Sequence, residues 1–295
     1  MGYLTDMRLR GVDGLGLLPT ILLSISLYAV IELNCIILAT FKTQKSLYFW
    51  SFVVATNGIA PYSIGTLLMN VLRSDNPALY VTLIAIGWVA MVTGQSLVLY
   101  SRLHLVVRSQ LCLRIVLTMI IIDIFILHVP NIVLLYGSNI ISSPGLIFAH
   151  GIYEKIQVTG FALQELIISG LYIKNSLAIF SVQDCLNDKA TRKMRNHLIW
   201  VNVIIILLDI AIIFLEAVYL YDIETALRPF VYSVKLKMEF GILNRLVELA
   251  RGGHLKRSNF ELVHSGANAE IRLNSSNGQT SNQGSLHCNG NFGGR

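Results

Sequence analysis

The sequence predicts an all-α polytopic membrane protein, a bundle of seven transmembrane helices with its N-terminus outside and its C-terminus in the cytosol. Three observations lead to this fold class: composition, the number of long apolar segments, and the distribution of Lys and Arg. The 295-residue chain is 54% hydrophobic and only 14% charged, whereas a soluble domain is about 25% charged. This much apolar surface requires lipid around it.

Seven segments are long and apolar enough to cross a bilayer. They are Leu15–Phe41, Leu47–Leu72, Pro77–Val106, Leu113–Tyr136, Tyr153–Phe180, Leu198–Tyr221 and Leu227–Ala250. The last contains Lys235, Lys237 and Glu239, so the alternative is six spans followed by an amphipathic helix on the membrane surface. Because Phe230–Leu243 is apolar on all sides, we favour a seventh span.

The basic residues between these segments predict the orientation. The odd-numbered connections carry Lys42, Lys45, Arg102, Arg108, Arg114, Lys189, Arg192, Lys193 and Arg195, and the even-numbered ones carry Arg73, Lys155 and Arg228. Loops rich in Lys and Arg stay in the cytosol. The odd connections are therefore expected in the cytosol, and the segment Gly137–Gly151 is expected to be a long outside loop.

Three parts follow along the chain: a short extracellular N-terminus at residues 1–14, the transmembrane domain at 15–250, and a cytosolic tail at 251–295. The tail is rich in Gly, Asn and Ser and is predicted to be disordered. We expect a plasma-membrane or endoplasmic-reticulum protein in contact with lipid. The net charge of +6 reflects topology, and no basic cluster interleaved with aromatic residues indicates nucleic-acid binding. No metal-binding spacing is present, so neither a metal nor a cofactor is expected.

The sixth segment carries a polar stripe, formed by Asn202, Asp209 and Glu216 at seven-residue spacing. On a helix these side chains share one face and are about 10 Å apart. A carboxylate within a span is costly unless it faces protein, water or a partner charge. The stripe therefore predicts a polar centre within the bundle, with Asp209 near mid-depth and Glu216 solvated near the outer interface.

Other spans carry polar residues that could meet this stripe. The candidate catalytic residues are Asp209, Glu32, Asp123 and Glu165, and the candidate ligand-binding residues are Trp88, Gln95, Tyr232 and Lys235. Acids in the spans outnumber bases, so some must be protonated, face water or bind a cation. The alternative is that these groups only join helices by hydrogen bonds. We expect Arg102 at the cytosolic headgroups, and His128 as a hydrogen-bonded packing residue.

The seven-span plan resembles that of G-protein-coupled receptors, with Arg102 in Tyr100-Ser101-Arg102-Leu103 placed like the receptor D/E-R-Y arginine. The preceding acid and the seventh-helix N-P-x-x-Y are absent. Retinal proteins need a seventh-helix lysine, for which Lys235 has a suitable depth, but the third segment lacks a carboxylate counterion. An ion-paired lysine is the simpler interpretation.

Three further stretches resemble a poorly characterised family of heptahelical membrane proteins from filamentous fungi. They are VLYSRLHLV (Val98–Val106), LQELIISGLYI (Leu163–Ile173) and RPFVYSVKLKMEFGILNRLV (Arg228–Val247). The resemblance covers most of residues 15–250. It implies the same topology, a plan similar to fungal sensory receptors, and a size similar to the membrane-embedded terpene cyclases of secondary metabolism.

Three functions are compatible with these patterns. The first is a non-enzymatic receptor-like or sensory protein with a lipophilic ligand and a cytosolic signalling partner. The second is a membrane enzyme acting on a lipophilic substrate, such as an acid-initiated terpene cyclase in which a carboxyl protonates an alkene and aromatic rings stabilise the cation. The third is a proton-coupled carrier, which the lack of an internal repeat disfavours. Whether the protein is an enzyme stays open at this point.

Overall fold

Long helices make up nearly all of the part that is described in the computed structural model, which covers residues 17–40, 46–70, 76–107, 109–141, 143–183, 189–218 and 223–242. These residues contain no β-strand and belong to one compact unit, Met1–Leu243. The N-terminus at 1–14 and the tail at 251–295 lie outside the described residues. So do Lys42, Lys45, Arg73 and Arg108, on which part of the orientation argument rests.

Seven helices form the described part of the chain. They are α1 Leu17–Thr40, α2 Leu47–Asn70, α3 Pro77–Val106, α4 Gln110–Ile141, α5 Pro144–Gln183, α6 Lys189–Ala217 and α7 at residues 223–242. Six of them, α1 to α6, have a portion long and apolar enough to cross a membrane. The all-helical, multi-pass membrane class predicted from composition is therefore confirmed. One π-helical turn interrupts α4 at Ile124–His128, and a second forms its end at Gly137–Ile141.

The connection between α4 and α5 differs from the prediction. The long outside loop expected at Gly137–Gly151 is wrong, because a π-turn extends α4 to Ile141 and α5 already begins at Pro144. Proline is well suited to the first turn of a helix, where its missing N–H is not needed. Lys155 and Arg228, which had been counted as loop charges, consequently lie within α5 and α7.

Consecutive helices run in opposite directions, and we name the two ends of the bundle after the predicted orientation. The outer end is where α3, α5 and α7 begin and α6 finishes. The inner end is where α3 finishes and α6 begins. Large apolar side chains on the bundle surface are exposed, such as Phe125 at 65% and Phe214 at 64%. This exposure is what helices facing acyl chains require.

Four glycines let α2 and α3 pack with their backbones in contact. Gly58 and Gly65 on α2, and Gly87 and Gly94 on α3, repeat at seven-residue steps. A Cβ atom at Gly87 would lie 2.3 Å from the backbone N of Tyr62, and one at Gly94 would lie 2.6 Å from the backbone N of Ala55. Small residues allow this close approach of membrane helices. We call this contact the glycine seam; it fixes the wall of the bundle that carries Tyr62 and Trp88.

Candidate functional site

One face of α7 carries a row of polar and aromatic residues into the bundle. Glu224, Arg228, Tyr232, Lys235 and Glu239 follow one another at steps of three or four residues, which places them on one helix face. Each is at most 5% exposed. Their partners on α3, α5 and α6 divide the row into three clusters, which we call outer, central and inner.

The central cluster is a triad of two acids and one base. The Lys235 Nζ donates to Glu165 Oε2 at 2.9 Å and also to Asp209 Oδ1. Tyr232 donates its hydroxyl to Glu165 Oε1 at 3.5 Å. The cavity that touches this triad measures about 10 Å³, room for a single water molecule. The central cluster is therefore a closed ion-pair network with no space for a substrate.

The inner cluster is built around Arg102. Its Nη1 lies 2.6 Å from Glu239 Oε2, its Nη2 donates to Asn202 Oδ1 at 2.7 Å, and its Cζ lies 4.4 Å from the centre of the Tyr172 ring. Arg102 is only 1% exposed, so the expected position at the headgroups is wrong. A carboxylate, an amide and an aromatic face inside the bundle surround the guanidinium, although its Nε and Nη1 form no hydrogen bond among the described residues. The nearby carboxylate charge offsets part of the cost of burying it.

The outer cluster surrounds Arg228. Its Nε donates to Glu224 Oε1 at 2.7 Å, its Nη1 donates to Glu154 Oε1 at 2.7 Å, and its Cζ lies 5.1 Å from the centre of the Trp88 ring. Glu216 Oε1 lies 3.9 Å from Arg228 Nη2, which is too far for a hydrogen bond. Glu216 is 7% exposed. The prediction that it is solvated at the interface is therefore wrong.

A cavity of about 880 Å³ borders the outer cluster. Its described lining includes all three carboxyls of the cluster, the cations Arg228 and Lys155, and the imidazole of His150, whose Nδ1 lies 3.9 Å from Glu154 Oε2. The same described lining includes buried polar atoms with no hydrogen-bond partner: the acceptors Asn131 Oδ1 and Gln157 Oε1 and the donors Trp88 Nε1 and Arg228 Nη2. Buried polar groups without partners are rare in folded proteins. We call this space the outer cavity; its polar lining fits a bound molecule.

The first turns of α5 border the outer cavity on the lipid side. Ile147, Phe148, Ile152 and Ile156 line the cavity and are nevertheless 48% to 72% exposed. Exposed apolar side chains on a spanning helix contact acyl chains. The cavity is therefore flanked by a lipid-facing rim.

The stripe on α6 supplies one residue to each cluster. Asn202 belongs to the inner cluster, Asp209 to the central cluster and Glu216 to the outer cluster. All three are buried, which confirms the prediction that seven-residue spacing directs them to one interior face. Their partners, however, differ at each depth. Only Glu216 lines the outer cavity.

The four predicted ligand-binding residues do not form one site. Trp88 borders both the outer cavity and the small cavity at the triad, and Tyr232 and Lys235 belong to the central cluster. Gln95 is completely buried, and neither atom of its amide has a hydrogen-bond partner.

The four predicted catalytic acids are also separated. Glu165 and Asp209 meet in the central cluster. Glu32 pairs with Lys237 at 2.5 Å on a half-exposed surface. Asp123 is half-buried at the first π-turn of α4 and forms no ion pair within the described ranges. None of the four lines the outer cavity.

His128 is a packing residue, as predicted. Its Nδ1 lies 2.9 Å from Gln157 Nε2, its Nε2 lies 3.3 Å from Thr93 Oγ1, and its ring centre is 4.7 Å from that of Phe161. Within the described part of the chain, no group of three His, Cys, Asp or Glu side chains is arranged to hold a metal ion.

Glu154, Glu224 and Arg228 form the outer cluster, but the sequence patterns did not identify them as site residues. The four-residue step from Glu224 to Arg228 is an available signal for a helical ion pair. Glu154 could not be linked to them, because it is 74 residues from Arg228 in the sequence.

Comparison with known proteins assigns the chain to a family without assigning an activity. The model of a family described as a domain of unknown function, DUF7703, matches residues 17–256. The chain therefore belongs to the DUF7703 family. No curated protein and no solved structure is significantly similar to it.

Proposed function

We propose that this DUF7703 protein is a seven-span, receptor-like membrane protein that senses a lipophilic ligand in the outer cavity and is not an enzyme. The observation that carries this proposal is the position of the cavity. At about 880 Å³ it falls within the range of small-molecule sites, roughly 300–1,000 Å³. It also borders Arg228 and Trp88, from which contacts lead through Tyr232 to the central cluster. The inner cluster follows one helical turn farther along α7, at Glu239.

The seventh span is part of the proposal. Residues 223–242 would extend about 30 Å as a helix, the thickness of the hydrocarbon core. Arg228 contacts Glu154 in the third turn of α5, and Glu239 contacts Arg102 near the last turn of α3. Contacts at both ends support a helix that crosses the bilayer alongside α3, despite its charged residues.

Trp88 links the outer cavity to the central cluster. Arg228 lies on its ring, and Tyr232 approaches it edge-on with ring centres 6.3 Å apart. Tyr232 in turn contacts Glu165 of the triad. A ligand that displaces Arg228 or Trp88 would therefore disturb packed and paired groups rather than solvent. Buried ion pairs with alternative arrangements are suitable two-state elements for such coupling.

A membrane enzyme is the second candidate, and one observation favours it. Glu154, Glu216 and Glu224 bring three carboxyls to a largely apolar cavity beside an aromatic ring, as acid-initiated chemistry on a lipophilic substrate would require. The acid in that case would be Glu216, the one without a hydrogen bond to Arg228, rather than Asp209. Loss of a lipid-soluble product in Glu216→Gln cells, with expression unchanged, would favour the enzyme over the sensor.

A carrier is less well supported. Transport needs a path that continues through the bundle, whereas the central cluster is closed around a cavity of about 10 Å³. Arg102 is also buried and paired at the inner end.

The experiment for the sensor uses Trp88 as the reporter. The chain has three tryptophans, and Trp50 and Trp200 lie on the exposed surface, so Trp50→Phe/Trp200→Phe leaves Trp88 alone. The purified protein in lipid nanodiscs is titrated with dodecylamine, dodecanol and dodecanoate. We expect at least one probe to change Trp88 emission saturably.

Two variants test whether the probe occupies the cavity. Ala85→Phe fills it, because Ala85 is 7% exposed and lines it, whereas Ile86→Phe places the same aromatic side chain on the 59% exposed surface. Ala85→Phe should abolish the response and Ile86→Phe should keep it. Equal responses in the two variants would overturn the proposal of a ligand site. So would the absence of a saturable response to any of the three probes.

Arg102→Gln tests the coupling. If the inner cluster is linked to the cavity, the variant should change the apparent affinity for the probe by about fivefold or more. An unchanged affinity would show that the protein binds the probe without coupling to the inner cluster, which would refute the sensor.

A further inference from the structure

The charge and the hydrogen-bonding groups of the outer cavity indicate what kind of molecule it takes. We propose that its ligand is a cationic amphiphile, a protonated amine on an apolar tail, whose ammonium group pairs with Glu216. This inference rests on the proposed function, since it names the ligand class of the same cavity.

The first argument is that Arg228 already lies between two carboxylates. Its Nε and Nη1 donate to Glu224 and Glu154, both at 2.7 Å, and its Nη2 lies against Glu224 without forming a hydrogen bond. An anionic headgroup that approached Nη2 would face three carboxylates at close range. Like charges in a desolvated site repel strongly. The outer cavity is unsuited to a fatty acid or an organic phosphate.

The second argument is that Glu216 lacks a hydrogen-bonded base of its own. It lies 3.9 Å from Arg228 Nη2, beyond hydrogen-bond distance, and it is 7% exposed on the wall of the cavity. Among the described lining residues, three acids face Arg228 and Lys155, and with His150 as a neutral imidazole one negative charge is in excess. A buried carboxylate is stabilised when a cation approaches within hydrogen-bond distance. One ammonium group balances the charge.

The third argument comes from the partnerless polar atoms. Asn131 Oδ1 and Gln157 Oε1 are acceptors without a donor, on side chains that are 8% and 1% exposed and line the same cavity. An ammonium group has three N–H donors and no acceptor. The ligand's donors therefore match these two acceptors, whereas the donors Trp88 Nε1 and Arg228 Nη2 of the same lining gain no partner from an ammonium group.

The apolar wall and rim of the outer cavity indicate where the alkyl tail of the ligand lies. Ile132 and Leu135 of α4 line the apolar part of the cavity, and Phe148 and Ile156 of α5 line it while also facing lipid. A ligand with its headgroup at Glu216 can leave its alkyl chain along this wall. Entry from the bilayer then requires no desolvation of the tail, because the lipid already provides an apolar environment.

The test compares headgroups on one tail. In nanodiscs at pH 7, with Trp88 as the only tryptophan, dodecylamine should saturate the emission change at a membrane mole fraction roughly tenfold lower than dodecanol does. Dodecanoate should bind more weakly still. Glu216→Gln should weaken dodecylamine binding to the level of dodecanol.

Asp123→Asn is the matched control. It also removes one carboxyl from a span, but Asp123 does not line the cavity, so the preference for the amine should persist. Dodecanol or dodecanoate binding as tightly as dodecylamine to the unaltered site would overturn the cationic ligand while leaving the sensor proposal intact. So would an amine preference that survives Glu216→Gln. Failure of all three probes to bind would refute the ligand site itself.

Discussion

The outer and central clusters have similar ingredients but differ in the space around them. In each, a base on α7 meets acids from α5 and α6: Arg228 meets Glu154 near Glu216, and Lys235 meets Glu165 and Asp209. The central cluster adjoins a cavity of about 10 Å³, and the outer cluster adjoins one of about 880 Å³. The number of ionisable groups therefore does not distinguish a structural ion pair from a binding site.

This difference also separates residues that stabilise the bundle from residues that can bind a ligand. A closed network of charges fixes the positions of three helices, since every group in it has a partner. An acid beside a large cavity, such as Glu216, contributes little to holding the helices together and is available to a ligand. The following predictions test this division, beginning with the variant that should have the largest effect.

Replacing Lys235 by Met should lower the free energy of unfolding by about 3–5 kcal/mol, because two buried carboxyls lose their only base. Thermal unfolding in detergent measures the loss. The triple change Lys235→Met/Glu165→Gln/Asp209→Asn should recover much of it, since no charge then stays buried without a partner. If Lys235→Met is as stable as the wild type, the triad is not the closed network described above.

The glycine seam should be the next most sensitive region. A Cβ at Gly87 would lie 2.3 Å from the backbone N of Tyr62, so Gly87→Ala should cost about 3 kcal/mol through overpacking. Because Tyr62 lines the outer cavity, the variant should also alter probe binding there. Gly170→Ala on α5 is the control, since no atom lies within 4 Å of its Cβ position. Equal stability of the two variants would contradict the close α2–α3 packing.

Two acids of the α6 stripe allow the most direct stability comparison. Asp209→Asn should lower the free energy of unfolding by about 1.5 kcal/mol, because it removes a charge-assisted hydrogen bond to Lys235. Glu216→Gln should change it by less than about 0.5 kcal/mol, because Arg228 keeps both of its hydrogen-bonded carboxylates. Parallel thermal melts decide the ranking, and a larger loss in Glu216→Gln would reverse the roles of the two clusters.

Much of the architecture could be predicted because it depends on local patterns. Apolar length identifies the spans, and seven-residue spacing correctly turns Asn202, Asp209 and Glu216 to the interior. The glycine seam has the same spacing, on Gly58 and Gly65 and on Gly87 and Gly94, and could have been found in the same way.

The partners could not be predicted, because they are set by the packing of distant helices. Arg102 and Glu239 are 137 residues apart, and nothing near either in the sequence identifies the other. For that reason the sequence places Arg102 at the headgroups and Glu216 in solvent, whereas both are buried. The cavity beside Glu216 depends on side chains of six helices, which no single segment reveals.

The central claim is that the outer cavity is accessible and the central cluster is closed, and thiol labelling tests it most directly. Ala85 and Val158 are 7% and 5% exposed, but Ala85 lines the outer cavity and Val158 lines the small cavity at the triad. Each is changed to Cys in a background without the four native cysteines and treated with methyl methanethiosulfonate in nanodiscs. We predict rapid modification of Ala85→Cys and protection of Val158→Cys. Equal reaction rates at the two positions would contradict the account.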